Sequence, residues 1–285
     1  IYSWASTMNS TPVEQADPQR LKDYYLDHFR RNRAAILEVA ALDFDPPIKG
    51  CPGWDVAGLT GHMGRVYTFW LKWIRERPRG FSAEAWAEIL ADRDARLPGY
   101  VAWEKAGFPT ESRPEGIVRF ARQAGDELDV ALVGLQPEEH VWTFIPSHQD
   151  GAFVFRRLAM ETAIHRWDAE EAHGRARPID EALARDGIDE MLVMFREDPE
   201  YGDNSTRRQG QRILLREEPG PGRWLVSFEA GGITTSASDG LADVTVEGSA
   251  SDLQLFIMGR RFPEEMRIEG DRDLAAAWGD LAGRF

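Results

Sequence analysis

Cysteine occurs once among the 285 residues, at Cys51, so a disulfide-stapled scaffold is excluded. Basic residues are in deficit: 34 lysines and arginines face 48 acidic residues, a net charge of −14 that repels phosphate backbones and argues against nucleic acid as a partner. No apolar run approaches the roughly 18–20 residues that a helix needs to cross a bilayer. The chain also lacks a glycine-rich loop behind a strand, a P-loop, a G-x-S-x-G elbow and a C-x-x-C pair, so nucleotide-binding and serine-hydrolase readings have no support. What is there is ordinary globular material. Hydrophobic residues make up 42% and charged residues 29%, enough for well-formed cores and too apolar for disorder.

Length predicts two domains. Residues 1–7 precede Met8, carry neither a basic nor an apolar leader segment, and read as an expression remnant. With one cysteine and no export signal, a reducing cytoplasm is the expected compartment. Residues 8–197 read as a helical bundle. Asp17-Pro18 opens a helix running to about Leu42, Asp55 caps a second whose apolar positions Leu59, Met63, Val66, Trp70 and Trp73 follow the helical period, and a short helical patch covers Ser82–Ala91. A third long helix is predicted over Glu115–Leu135, a fourth from Asp150-Gly151 to about His173, and a fifth over Ile179–Arg196. Four main helices with longer connections make a four-helix bundle. Residues 198–209 form a polar linker, and 210–285 an α+β unit: short strands at Arg212–Arg216, Trp224–Glu229, Gly232–Ser236 and Ala242–Glu247, a helix from the capping box Ser249–Asp252 to Gly259, a strand at Met266–Glu269 and a terminal helix.

The histidines are six: His28, His62, His140, His148, His165 and His173. On the fourth helix Glu161 and His165 stand at i and i+4, about 40° apart on one face, with Asp168 in the same sector. That helix is apolar nearly all round, so it is buried and its polar side chains need internal partners. His62 lies between Leu59 and Val66 on the apolar face of the second helix, flanked by Gly61 and Gly64, which leave the backbone beside it uncrowded. Two buried imidazoles and a carboxylate on facing helices suit zinc, nickel or iron(II), with positions left open for water or substrate. They suit equally an internal hydrogen-bonded cluster without metal. His173 reads as a helix C-terminal cap, and Cys51, in a proline-flanked loop, as a small residue outside this cluster.

Three segments in order are familiar: Pro52-Gly-Trp-Asp-Val-Ala-Gly-Leu-Thr-Gly-His62, then Arg157-Leu-Ala-Met-Glu161-Thr-Ala-Ile-His165-Arg-Trp-Asp168, then Val246-Glu-Gly-Ser-Ala-Ser-Asp-Leu253 through Gly259-Arg260. Together they resemble the mycothiol-dependent maleylpyruvate isomerase family, with Tyr67 standing where that family often carries a histidine. The resemblance implies a DinB-like metal-binding four-helix bundle followed by a small C-terminal α+β domain. It implies that His62, Glu161 and His165 hold a divalent metal, zinc foremost, and that the open position takes the sulfur of a low-molecular-weight thiol, mycothiol in most of the family. It also implies a catalytic Arg260 gripping substrate carboxylates, although an arginine just beyond a helix end serves as well to cap that helix. Asp168 then orients His165 or pairs with Arg157. Three functions follow: cis–trans isomerisation by thiol addition and elimination, thiol S-transfer to another electrophile, or non-catalytic binding of a metal or small ligand.

Overall fold

The computed structural model describes residues 17–197, 208–230 and 232–281; the expected expression remnant and nearly all of the expected linker lie outside them. The chain divides into two compact units, and among the described residues the first spans Asp17–Arg177 and the second starts at Pro178.

The helical unit is built from α1 (Pro18–Ala40), α2 (Val56–Glu76), α3 (Ala83–Arg96), α4 (Tyr100–Lys105), α5 (Ile117–Gly134) and α6 (Gly151–Ala172). Its helix starts are written in the sequence. The carboxylates of Asp55 and Asp150 accept from the Gly58 and Phe153 backbone N–H groups at 2.7 and 2.9 Å, and Ser82 accepts from Ala85 at 3.1 Å. α1 packs on α6 and α2 on α5. Phe29, Leu59, Met63, Phe120, Leu128 and Leu158 fill the space between them and are buried. Gly61 and Gly64 serve this packing rather than giving His62 room. A Cβ on Gly61 would lie 2.8 Å from the Trp103 ring, and one on Gly64 would lie 2.3 Å from the Phe120 ring. The short α4, which carries Trp103 and Tyr100, is absent from the sequence reading, because six residues are too few for a helical period to show.

The second unit holds α7 (Glu181–Glu197), a five-stranded sheet and α8 (Ala250–Ile257). The strands are β1 (Arg212–Glu217), β2 (Arg223–Glu229), β3 (Gly232–Ser236), β4 (Val244–Gly248) and β5 (Arg267–Gly270), in the order β3-β2-β1-β4-β5. Only β1 and β4 run parallel. Such a pair needs a crossover, whereas the other neighbours run antiparallel. α7 corrects the expected boundary: placed in the bundle by the sequence reading, it packs on α8 and β3. The Trp224 indole N–H of β2 donates to Asp189 of α7 at 2.7 Å, and Arg185 of α7 holds Glu217 of β1 at 2.7–3.0 Å. Its amphipathic period says only that one face is buried, not against what. The fold class itself stands as expected, a helical bundle followed by an α+β domain. Among the described residues no helix is long and apolar enough to cross a membrane.

Candidate metal centre

Two imidazoles of the helical unit converge on one carboxylate oxygen. His62 Nε2 of α2 lies 3.2 Å from Glu161 Oε1 of α6, and His165 Nε2, one turn along, lies 3.4 Å from the same atom. The imidazole rings meet edge to face with centroids 4.9 Å apart. One ligand atom from each of the three side chains lies within 4.8 Å of the other two. Donors bound to one tetrahedral zinc at about 2.0–2.1 Å stand about 3.3 Å apart, so the observed separations fit such an ion.

Each member is held from behind. His165 Nδ1 faces Asp168 Oδ2 at 3.0 Å, which leaves Nε2 as the nitrogen turned toward Glu161. Arg157 NH2 donates to Glu161 Oε2, leaving Oε1 for the two imidazoles. Asp168 thus stands behind His165, and Arg157 behind Glu161. Trp54 stacks obliquely on His62 with centroids 4.9 Å apart, while the buried Nδ1 of His62 has no hydrogen-bond partner. Trp54 reaches His62 because its loop is tied down, with Ile48 N–H donating to the Trp54 carbonyl at 2.9 Å and Trp54 N–H to that of Cys51 at 3.0 Å.

Burial and charge set the protonation states. Burial pushes His62 down from 6.5 to about 4, against the opposing pull of its hydrogen bond to Glu161, so it is neutral near pH 7. For Glu161, burial alone would raise the pKa. The Arg157 charge and the hydrogen bonds with both imidazoles outweigh it and hold the carboxylate well below its usual range. Burial would lower His165, yet the hydrogen bonds to Asp168 and Glu161 raise it. A neutral imidazole, a firmly ionised carboxylate and a second imidazole fixed through its far nitrogen form a donor set that a divalent cation can use.

The structure also brings in a residue the sequence reading left out. Cys51 is buried, with its Sγ 3.9 Å from Asp168 Oδ2, and Cys51, His165 and Asp168 make a second cluster of potential ligands within 4.8 Å. Its loop meets α6 across 117 residues of chain, a proximity no local pattern announces. The remaining histidines stay apart from both clusters. His173 Nδ1 faces the Ala169 carbonyl at 3.2 Å, in keeping with a helix-end role, and His140 Nδ1 faces that of Gln149 at 3.0 Å. His28 packs on Tyr24 and His148 on Phe153. Arg260 belongs to the second unit. It is 3% exposed, and its NH1 donates at 2.7 Å to the carbonyl of Met258, the residue just after α8.

Residues 26–170, 145 of the 285, match the model of the mycothiol maleylpyruvate isomerase N-terminal domain, and residues 182–277 match that of the MDMPI C-terminal domain. Among solved structures, the chain is similar to a mycothiol-dependent maleylpyruvate isomerase at 17% identity, with a TM-score of 0.56 over 87% of this chain and 92% of that one. A histidine-to-alanine mutant of the same enzyme aligns equally well, again at 17% identity and a TM-score of 0.56 over 87% and 92% of the two chains. At that identity the structures speak for the fold alone. No curated protein sequence matches. The two domain models, met in order with eleven residues between them, place the chain in the mycothiol maleylpyruvate isomerase family.

Proposed function

We propose that the helical unit holds a divalent cation, zinc foremost, on His62, Glu161 and His165, and that the protein is a thiol-dependent cis–trans isomerase working with mycothiol in a reducing cytoplasm. The observation that carries this reading is the meeting of two buried imidazole Nε2 atoms on one half-buried carboxylate oxygen, at 3.2 and 3.4 Å. When bound, such a cation lowers the pKa of a thiol that joins it and so supplies a nucleophile at neutral pH.

The chain's own residues prepare that chemistry. Asp168 fixes the His165 ring through Nδ1, and Arg157 fixes Glu161 through Oε2, so the three donor atoms are aimed before anything binds. The low pKa of His62 leaves its nitrogen lone pair unprotonated at neutral pH. Thiolate addition to the double bond of a maleyl group turns it into a single bond that can rotate, and elimination of the same thiolate gives the trans isomer. Neither step consumes the thiol. We assign Arg260 to the substrate carboxylates and the enolate that the addition generates, a role for which guanidinium geometry is suited. S-transfer to an apolar electrophile is the second reading. It is favoured by the aromatic wall that Trp54 adds beside His62.

The test is metal analysis of the wild type beside His165→Ala, followed by calorimetric titration with mycothiol and an assay on maleylpyruvate. About one ion per chain in the wild type and none in the variant, thiol binding that requires the ion, and turnover of the cis substrate are expected. A wild type that stays metal-free after reconstitution would sink the reading. Metal-dependent thiol binding without isomerisation would instead favour S-transfer.

A further inference from the structure

His165 has two nitrogens, and the helical unit offers each one a set of ligands. On the Nε2 side stand Glu161 and His62; on the Nδ1 side stand Asp168 at 3.0 Å and, beyond it, Cys51 with Sγ 3.9 Å from the same Asp168 oxygen. All three residues of this second set are buried, and their ligand atoms lie within 4.8 Å of one another. Bond lengths of about 2.3 Å to sulfur and about 2.0–2.2 Å to nitrogen or oxygen put donor atoms about 3.2–3.7 Å apart around one ion, so small adjustments would close the set. The scaffold is built from both sides. Cys51 N–H donates to the Ile48 carbonyl at 3.1 Å and the Cys51 carbonyl accepts from Trp54 at 3.0 Å, while His165 and Asp168 share one turn of α6.

We propose that Cys51, Asp168 and His165 form a second metal site, for a thiophilic divalent cation such as cadmium or excess zinc, whose filling excludes a cation from the opposite side of the same imidazole. Sulfur, imidazole nitrogen and carboxylate oxygen together select such ions over magnesium or calcium. Binding releases the Cys51 thiol proton to solvent, and the sulfur pair bonds to the ion. Neutral His165 then ligates through Nδ1, so its one ring proton sits on Nε2, where it can be donated to Glu161 Oε1. That nitrogen no longer has a lone pair for an ion held by His62 and Glu161. The site itself needs only its three residues; its inhibitory consequence rests on the function proposed above.

Cadmium titration of the intact protein tests this, read by the ultraviolet thiolate-to-cadmium charge-transfer band. Because Cys51 is the sole cysteine, the band reports that residue alone. The wild type is expected to develop a band saturating at one cadmium per chain, and Cys51→Ser none. Asp168→Asn keeps the thiol yet is expected to bind cadmium at least about tenfold more weakly. Glu161→Gln and His62→Ala, which disable the other side, are expected to keep the band at wild-type affinity. A wild type without the band would overturn the proposal, as would an Asp168→Asn protein that binds as tightly, which would make the capture a matter of the thiol alone. Loss of the band in Glu161→Gln would also overturn it, by showing that the Cys51 thiolate does not hold cadmium without ligands from the His62 side. Because these readouts never involve zinc content or turnover, failure here is distinct from failure of the isomerase reading.

Discussion

Two carboxylates, Glu217 of the α+β unit and Glu161 of the helical unit, are held differently. In the α+β unit Glu217, 1% exposed, is gripped by Arg185 through three contacts of 2.7–3.0 Å and by the Gly222 N–H at 2.8 Å. Glu247 there lies between Arg216 and Arg267 at 2.7 and 3.0 Å. Each acid meets guanidinium groups that tie one element to the next. In the helical unit Glu161 gives only one oxygen to an arginine and turns the other to two imidazoles. An acid saturated by arginine is a clamp. One that shares an oxygen between two imidazole nitrogens is the place we propose for a cation, so on this reading Glu217 serves stability and Glu161 chemistry.

The largest effect should come from removing that shared oxygen. Glu161→Gln is expected to lose the bound metal altogether, read by elemental analysis, while circular dichroism reports an intact helical unit; a variant that keeps its metal would break the contrast. Its counterpart Glu217→Ala should do the reverse. Leaving Arg185 without its buried acid is expected to cost about 3–5 kcal/mol in denaturant unfolding, with metal content unchanged. If Glu217→Ala shed metal as well, the two kinds of acid would not be separable.

Next in size is a pH effect confined to the helical unit. The folded His62 resists protonation down to about 4, whereas the unfolded side chain takes a proton near 6.5. Between those values the unfolded chain binds more protons, so stability falls as pH drops, by at most about 3 kcal/mol. Glu161 adds to the loss in acid, because its lowered pKa contributes stability that vanishes as pH falls through the folded value. His165 works in the opposite sense: its raised pKa contributes stability present below 6.5 and lost as pH climbs through the folded value. In metal-free protein, His62→Gln should flatten the dependence of Tm on pH between 6.5 and about 4. An unchanged slope would remove His62 as its source.

How far the sequence already disclosed this contrast depends on distance along the chain. Helix starts were legible because an Asp or Ser cap and its N–H partner are neighbours: Asp55, Asp150 and Ser249 all cap as expected. The Glu161–His165 pair was legible for the same reason, since i and i+4 fix a common face. Partners chosen by tertiary packing were not. Cys51 against Asp168 and α7 against β3 and α8 are contacts that periodicity cannot assign, because a period shows that a face is buried and not what buries it. Gly61 and Gly64 fall between these cases. A pair of glycines beside His62 was visible, but its purpose was misread, because the aromatic rings that need the space come from α4 and α5.

Gly64 gives the smallest of the expected effects and a sharp one. Replacing Gly64 by alanine should gain about 1 kcal/mol in helix propensity. Against this, the new Cβ would stand 2.3, 2.6 and 3.0 Å from three atoms of the Phe120 ring. Phe120 has no room to retreat, being buried with its ring centroid 5.2 Å from that of Tyr100. Overpacking of this kind costs about 1–3 kcal/mol, so the balance should fall on the side of destabilisation by up to about 2 kcal/mol. Gly64 lies about 200° round the helix from His62, so metal content should stay at the wild-type level. The double variant Gly64→Ala/Phe120→Leu should recover part of the loss, because the smaller side chain vacates the contested space, and the coupling in a double-mutant cycle measures that contact directly. A Gly64→Ala protein more stable than the wild type would mean that α2 and α5 can move apart at no cost. Loss of metal in a stable Gly64→Ala protein would mean instead that the glycine serves the histidine beside it after all.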